Sequence, residues 1–332
     1  MSNLVEQQRE KAKQLKKTIC LAEAVLDPRT MKAARMFMDE GLGTPLIVGS
    51  PIALTESATK AGVDMNGMKV IDPAHFDRMD DMIAAYQTRR AKDNLSKDEV
   101  NKLLQDPLWF GAMLVSMGIA DGMTAGALNT TANVIRASIK CIGPRKGLKT
   151  VSSCFLMVVP DCPYGQDGAM IYSDCGVIPA PTLEQLVDIG EAAAQSCKHL
   201  IGVEPIIAYL SFSTKGSADH PDAKKMAEAA NLLAARRPDL KVDGELQGDA
   251  ALIQSIGERK CPGSPVAGKA NTLIFPDLGA GNIAYKLTER LTGGLAFGPL
   301  LQGLALPVND LSRGCTSEDI VHVAAITALQ TQ

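Results

Sequence analysis

Short apolar runs alternating with longer amphipathic stretches set the rhythm of the first half of the chain. A charged amphipathic leading helix runs into residues 18–24 (TICLAEA), which read as a strand. Residues 31–41 (MKAARMFMDEG) come next as a helix that Asp27 or Thr30 could cap and that Gly41 and Gly43 end, and residues 44–49 (TPLIVG) form a second short apolar strand. Strands separated by helices imply crossovers in a parallel sheet. The pattern continues with a strand at residues 69–72, helices at 80–90 and 98–117, and a helix opening at residue 126 and running through Arg136.

Residues 141–149 (CIGPRKGLK) form a Pro/Gly/basic break, read as the crossover into a second domain. The chain beyond this break is richer in strands: VSSCFLMVV and AMIYSDCGV flank a polar hairpin loop, PDCPYGQDG. A helix at 182–200 and a strand at 204–210 lead into the polar loop 211–217 (SFSTKGS). Open α/β sheets place ligands at such strand ends, the alternative being an ordinary flexible loop. VDGELQGDAA carries Asp243, Glu245, Gln247 and Asp249 and reads as a solvated strand edge rather than a metal site. A strand at 272–275 turns into the helix IAYKLTERL, and the final stretch, IVHVAAITALQ, is apolar almost all round, the mark of a buried helix.

Composition narrows the class. With 332 residues, 46% of them hydrophobic, the chain can bury a large core, and its length favours two domains. The net charge of −3, with no concentration of Lys and Arg, argues against nucleic acid or a membrane surface as partner, so any bound anion must meet local cations. No secretory core and no run of about 18 apolar residues is found, which leads us to expect a cytoplasmic protein. The eight cysteines are irregularly spaced without CxxC and read as reduced, mostly core thiols; the four histidines lack ligand spacing, so no metal site is expected.

The densest chemistry lies in residues 298–319, GPLLQGLALPVNDLSRGCTSED. Pro307, Asn309, Asp310, Ser312, Arg313 and Gly314 are the types that build a tight polar connection before a helix. Ser312, Arg313 and Asp319 offer a hydroxyl donor, a fixed cation and a carboxylate able to accept a proton. Asp319 also has a plain alternative: Thr316-x-x-Asp319 matches a capping box. Cys315 is the one thiol near this set, without an activating histidine in sequence. Small and hydroxylated residues ahead of Arg136, including Thr130 and Thr131, suit an anion at a helix start. Arg89 and Arg90 end another helix, where dipole complementarity alone could account for them. Gly279-x-Gly281-x-x-Ala284 nearly matches a dinucleotide fingerprint, but no acidic residue ends a strand about 20 residues on.

DGMTAGALNTTANVIR, SDCGVIPAPT, LSFSTKGSA, VDGELQGDAA, SPVAGKANTLIFPDLGAGNIAYK and GPLLQGLALPVNDLSRG, in this order, make nearly the whole chain resemble the phosphate acetyltransferases (phosphotransacetylases). The resemblance implies two α/β domains with mainly parallel sheets flanked by helices, the first being residues 1–147 plus 302–332 and the second 148–301. It implies an active site in the interdomain cleft and a homodimer. The implied reaction exchanges acetyl-CoA and phosphate with acetyl phosphate and CoA, needs no cofactor beyond CoA as substrate, and uses no metal. Its implied roles are Asp319 as general base towards the CoA thiol, Ser312 and Arg313 stabilising charge and phosphate, and Arg90, Arg136, Thr130, Thr131 and Asn309 binding substrate. Two positions depart from the family pattern: residues 87–91 read QTRRA where an acidic residue and a lysine usually flank the arginine, and Ala137 stands where proline is common. Phosphate butyryltransferase shares the implied chemistry; a decarboxylating dehydrogenase and a non-catalytic CoA binder are the readings from other classes.

Overall fold

The computed structural model describes residues 2–332 and divides into two compact units, Ser2–Lys146 with Leu304–Gln332, and Gly147–Gly303. In chain order the first unit contains α1 (Ser2–Leu15), β1 (Thr18–Leu21), α2 (Pro28–Asp39), β2 (Thr44–Val48), α3 (Pro51–Ala61), β3 (Lys69–Ile71), α4 (Met79–Arg89), α5 (Lys97–Leu103), α6 (Pro107–Ser116), β4 (Gly122–Ala125) and α7 (Thr131–Cys141). The chain then builds the second unit from β5 (Ser152–Val158), β6 (Ala169–Ser173), α8 (Leu183–Leu200), β7 (Ile206–Leu210), α9 (Pro221–Arg236), β8 (Lys241–Leu246), α10 (Gly248–Leu252), α11 (Gln254–Lys260), β9 (Thr272–Ile274), α12 (Leu278–Thr292) and β10 (Leu295–Gln302). It returns to the first unit with β11 (Val308–Asp310) and α13 (Ser317–Leu329). Among the described residues no helix is long and apolar enough to cross a membrane.

The first sheet has the order β11-β4-β1-β2-β3 with every pairing parallel. Ile19, Cys20 and Leu21 of its central strand are fully buried, as expected of a strand covered by helices on both faces. α6 comes so close that a Cβ on Gly111 would lie 2.9 Å from both the Cys20 and the Met123 sulfur. α13 is buried from Ile320 to Leu329 and packs on α1, α2 and β4, the placement its all-round apolar pattern predicts.

The second sheet runs β10-β5-β6-β9-β7-β8. β10, β5 and β6 pair antiparallel, while β6, β9, β7 and β8 pair parallel. Its acidic stretch is put to internal use. Asp243 pairs with Lys215 and accepts from Ser264, Glu245 accepts from the Ser213 hydroxyl at 2.8 Å and the Gly216 N–H at 2.7 Å, and Lys260 bonds Gln247 at 2.8 Å. Together these bonds hold the 211–217 loop. Gly281, inside the glycine pattern that resembles a dinucleotide motif, sits where a Cβ would meet the Asp174 carbonyl at 2.4 Å. That glycine serves helix-to-strand approach.

Two expectations need correction. The helix expected over 98–117 is two helices, because Asp106 caps the Leu108 N–H at 2.8 Å and Pro107 starts α6; a proline in a helix interior would forfeit a hydrogen bond and clash with the preceding turn. Asn309 and Asp310, read as part of a tight polar connection, lie in β11 and are fully buried. Pairing with β4 overrides their turn preference, since both side chains find hydrogen-bond partners inside the unit.

Candidate active site

β11, β4 and β1 are adjacent and parallel, so the segments leaving their carboxyl ends meet on one edge. β1 leads to Glu23, Asp27 and Arg29; β4 leads to residues 126–130 and the start of α7; β11 leads to residues 311–316 and the start of α13. Parallel α/β sheets gather ligands at this edge.

Two buried or half-buried side chains tie the three segments together, and the sequence pattern singled out neither. Glu23, 1% exposed, accepts from the backbone N–H groups of Gly126 (3.0 Å), Leu128 (3.3 Å) and Asn129 (2.8 Å) and from the Asn129 side chain at 2.9 Å. Arg29 holds Asp27 through Nε and Nη2, and reaches the Arg313 carbonyl at 3.0 Å, the Cys315 carbonyl at 2.8 Å and the Ala127 carbonyl at 3.1 Å. The Ser312 turn is closed by Cys315 N–H donating to the Ser312 carbonyl at 3.0 Å. Its backbone is thus bolted to the loop after β4. Its side chains are not: Ser312 and Arg313 are exposed, and among the described residues neither takes a side-chain hydrogen bond or ion pair.

Asp319 takes the capping role anticipated for it. Its Oδ2 accepts from the Thr316 N–H and hydroxyl, both at 2.8 Å, while Thr316 Oγ1 accepts from the Asp319 N–H at 3.2 Å. Oδ1 has no hydrogen bond among the described residues, and Asp319 is exposed in the first turn of α13. Cys315 is buried, which pushes its thiol up to about 11 despite Arg29 nearby, so it lacks the thiolate a nucleophile needs.

Across the edge, Thr130 caps α7 by accepting from the Asn133 N–H at 3.2 Å, and Thr131 donates to Asp310 Oδ2 at 2.5 Å. Asp310 Oδ1 is buried without a hydrogen-bond partner, and burial, reinforced by the Glu23 charge, raises this carboxyl to about 7. Arg136 is exposed and touches Asn133 Oδ1 at 3.1 Å. The remaining candidates are placed differently. Arg90 grips Asp93 at 2.7 and 3.0 Å, and Asp93 also meets Lys140 of α7 at 3.1 Å; this shared pairing lowers Asp93 to about 2. Arg90 lines a cavity of about 210 Å³ with Tyr86, Gln87 and Asn94, whereas Arg89 is spent on the Ile142 carbonyl at 2.5 Å. Asn309 is fully buried and donates to Thr327 at 2.8 Å and Gln330 at 2.7 Å, which turns its amide nitrogen towards α13.

A family model described as "Phosphate acetyl/butaryl transferase" matches residues 3–328. The chain belongs to that family. Its members are acyltransferases, and the chain is an enzyme of this class. Similar proteins agree over the full length. The phosphate acetyltransferase of Acetivibrio thermocellus is 44% identical over 331 residues, covering 99% of this chain and 98% of that protein. That of Treponema pallidum is also 44% identical over 331 residues, covering 98% of each. A phosphotransacetylase structure from Streptococcus pyogenes superposes with a TM-score of 0.93 at 39% identity, covering 100% of this chain and 98% of that one.

Proposed function

We propose that the chain catalyses reversible acetyl transfer between CoA and phosphate, acetyl-CoA + phosphate = acetyl phosphate + CoA. The observation that carries the reading is the Ser312–Arg313 turn, its backbone held by Arg29 and its side chains left without a hydrogen bond among the described residues, followed in the chain by exposed Asp319 with one carboxylate oxygen unbonded. Full-length similarity to proteins named phosphate acetyltransferase supports it.

In the direction of thioester formation, Asp319 Oδ1 takes the CoA thiol proton. A thiol near its ordinary pKa of about 8.5 is mostly neutral at pH 7, so a positioned base raises the thiolate fraction at the moment of attack. The sulfur attacks the acetyl phosphate carbonyl, the new C–S bond forms, the C–O bond to phosphorus breaks, and phosphate leaves with the electron pair and receives the proton. Ser312 donates to the oxygen that gains charge, a donor of the kind worth about 3 kcal/mol. The Arg313 guanidinium holds phosphate oxygens, for which its fork geometry is suited. Thr131 at the start of α7 and Arg136 more than a turn further along it add contacts, and Arg90 a cation at the α4 end. The reaction so written needs no cofactor or metal, CoA being a substrate.

The eight cysteines are free thiols, consistent with a cytoplasmic enzyme. α12 leaves Ile283 (60%), Leu287 (54%) and Leu291 (80%) exposed at four-residue spacing. Such a stripe suits a second copy of the chain, and we assign the homodimer contact to it; light scattering of Leu287→Asp, with a return to monomer mass, tests this.

The deciding test of the reaction is CoA-dependent thioester formation from acetyl, propionyl and butyryl phosphate, read at the thioester absorbance. Acetyl phosphate should be the best substrate, and Asp319→Asn should lower turnover by about two orders of magnitude. Preference for butyryl phosphate would move the assignment to a butyryltransferase. Inactivity with all three would refute it.

A further inference from the structure

Asp310 lies directly before the Leu311–Ser312 step, yet it faces the opposite segment of the edge. Its Oδ2 meets Thr131 Oγ1 at 2.5 Å, and its Oδ1 has no hydrogen-bond partner. The backbone of Gly126 closes over it: a Cβ there would lie 2.2 Å from Oδ1. The carboxyl is thus sealed on one side and open to a single side-chain partner, the Thr131 hydroxyl at the first position of α7.

A threonine hydroxyl has one hydrogen to give and lone pairs to receive, while an ionised carboxylate only receives. If Asp310 is ionised, the 2.5 Å contact must use the Thr131 hydrogen, and Thr131 then offers only lone pairs to a ligand. If Asp310 is neutral, its own O–H fills the contact and the Thr131 hydrogen is released. Phosphate presents acceptor oxygens, so only the second arrangement lets Thr131 bind it.

We propose that Asp310 is a positioning residue for the phosphate substrate: one proton on its carboxyl turns the Thr131 hydroxyl from an acceptor into a donor towards a phosphoryl oxygen. The inference rests on the acetyl-transfer reading above. The proton comes from solvent and returns to it when phosphate leaves. The surroundings hold Asp310 near the required state, because burial and the Glu23 charge raise it to about 7, an effect that the Thr131 hydroxyl and the Leu311 backbone only partly offset. Among the described residues no cation counters it. Arg29 is taken up by Asp27 and three carbonyls, His322 of α13 is held neutral by burial and by Arg9 rather than set against Asp310, and the α7 group that bonds Asp310 is Thr131. Binding and protonation are linked, so phosphate should bind more weakly once pH rises past the point where Asp310 ionises.

The test measures KM for phosphate and kcat in the acetyl-CoA-consuming direction, between about pH 6 and about pH 8.5, a window that brackets the Asp310 ionisation. The proteins compared are wild type, Asp310→Asn, Thr131→Val and the double variant. The amide introduced by Asp310→Asn imitates the neutral acid, and dividing wild-type KM by that of Asp310→Asn cancels the ionisation of phosphate itself. We expect this ratio to climb about tenfold across the range, the scale of one hydrogen bond to a charged group, with the kcat ratio flat and with no effect of Asp310→Asn once Thr131 is valine. A flat KM ratio, or an Asp310→Asn effect that persists in the Thr131→Val background, overturns the proposal. If Asp310→Asn does not fold, Thr131→Val still decides: its KM should exceed that of wild type about tenfold at the acid end and converge at the alkaline end, and a constant ratio overturns the idea. Wild type without any phosphate-dependent turnover would instead refute the acetyl-transfer reading.

Discussion

Replacing Arg29 by methionine keeps the aliphatic stem and removes the guanidinium that joins the Ser312 turn to the loop after β4. Three carbonyls, those of Arg313, Cys315 and Ala127, lose their donor, while Asp27 keeps the Arg29 backbone N–H at 2.8 Å. A hydrogen bond to a charged group contributes about 1.5–3 kcal/mol when sheltered. The Arg29 side chain is 36% exposed, so about 1 kcal/mol per carbonyl is the fitting scale, or about 3 kcal/mol for the set. If that energy is what holds Ser312 and Arg313 in their active placement, the active population falls by up to about a hundredfold, since about 1.4 kcal/mol is a factor of ten. The assay is steady-state thioester formation alongside thermal unfolding. We expect kcat to fall between about tenfold and about a hundredfold, with the melting temperature lowered as well, because the buried Asp27 carboxylate loses its ion pair with Arg29. Arg29→Lys should recover part of it, because an ammonium reaches one carbonyl and not three. A variant that melts early but keeps kcat within about twofold would show that Arg29 stabilises the unit without shaping the site.

Gly126→Ala should be destabilised by about 3 kcal/mol or more in chemical denaturation, because its φ is +114° and the added Cβ would meet Asp310 Oδ1 at 2.2 Å and the Leu311 nitrogen at 2.6 Å; a wild-type midpoint would contradict the geometry. Asn309→Ala should cost about 2 kcal/mol by breaking the bonds to Thr327 and Gln330 while leaving both substrate KM values unchanged, and a raised KM with normal stability would instead return Asn309 to substrate binding. For Asp310 the sign follows from its direction of shift. A carboxyl raised to about 7 in the folded state against about 3.9 unfolded gives stability that is present at acid pH and is lost as pH rises through about 7. The Asp310→Asn variant should therefore gain on wild type as pH rises from about 4 to about 7 and run parallel to it above that, by about 4 kcal/mol at most; curves parallel throughout would refute this.

Local pattern alone identified much of the protein. Strand–helix alternation, the apolar C-terminal helix, the Thr316–Asp319 capping box and the Ser312–Arg313 turn are all written within a few residues of each other, where spacing and turn chemistry decide. The sequence order of the glycine- and hydroxyl-rich motifs also marked the family. Pattern failed where a residue's partner lies far along the chain. Arg29 bonds carbonyls 284 and 286 residues away, Glu23 bonds amides 103 to 106 residues away, and Asp310 bonds Thr131 at a separation of 179. Nothing near Asp27-Pro28-Arg29 in sequence distinguishes a helix cap from a clamp on a distant turn. Asn309 and Asp310 likewise look like turn residues until β4 pairs with β11 and buries them. Secondary structure and its caps answer to neighbours in the chain, whereas the order β11-β4-β1 is set by packing; only that order brings the three carboxyl ends together and decides which polar side chains stay exposed and which are consumed in holding the edge.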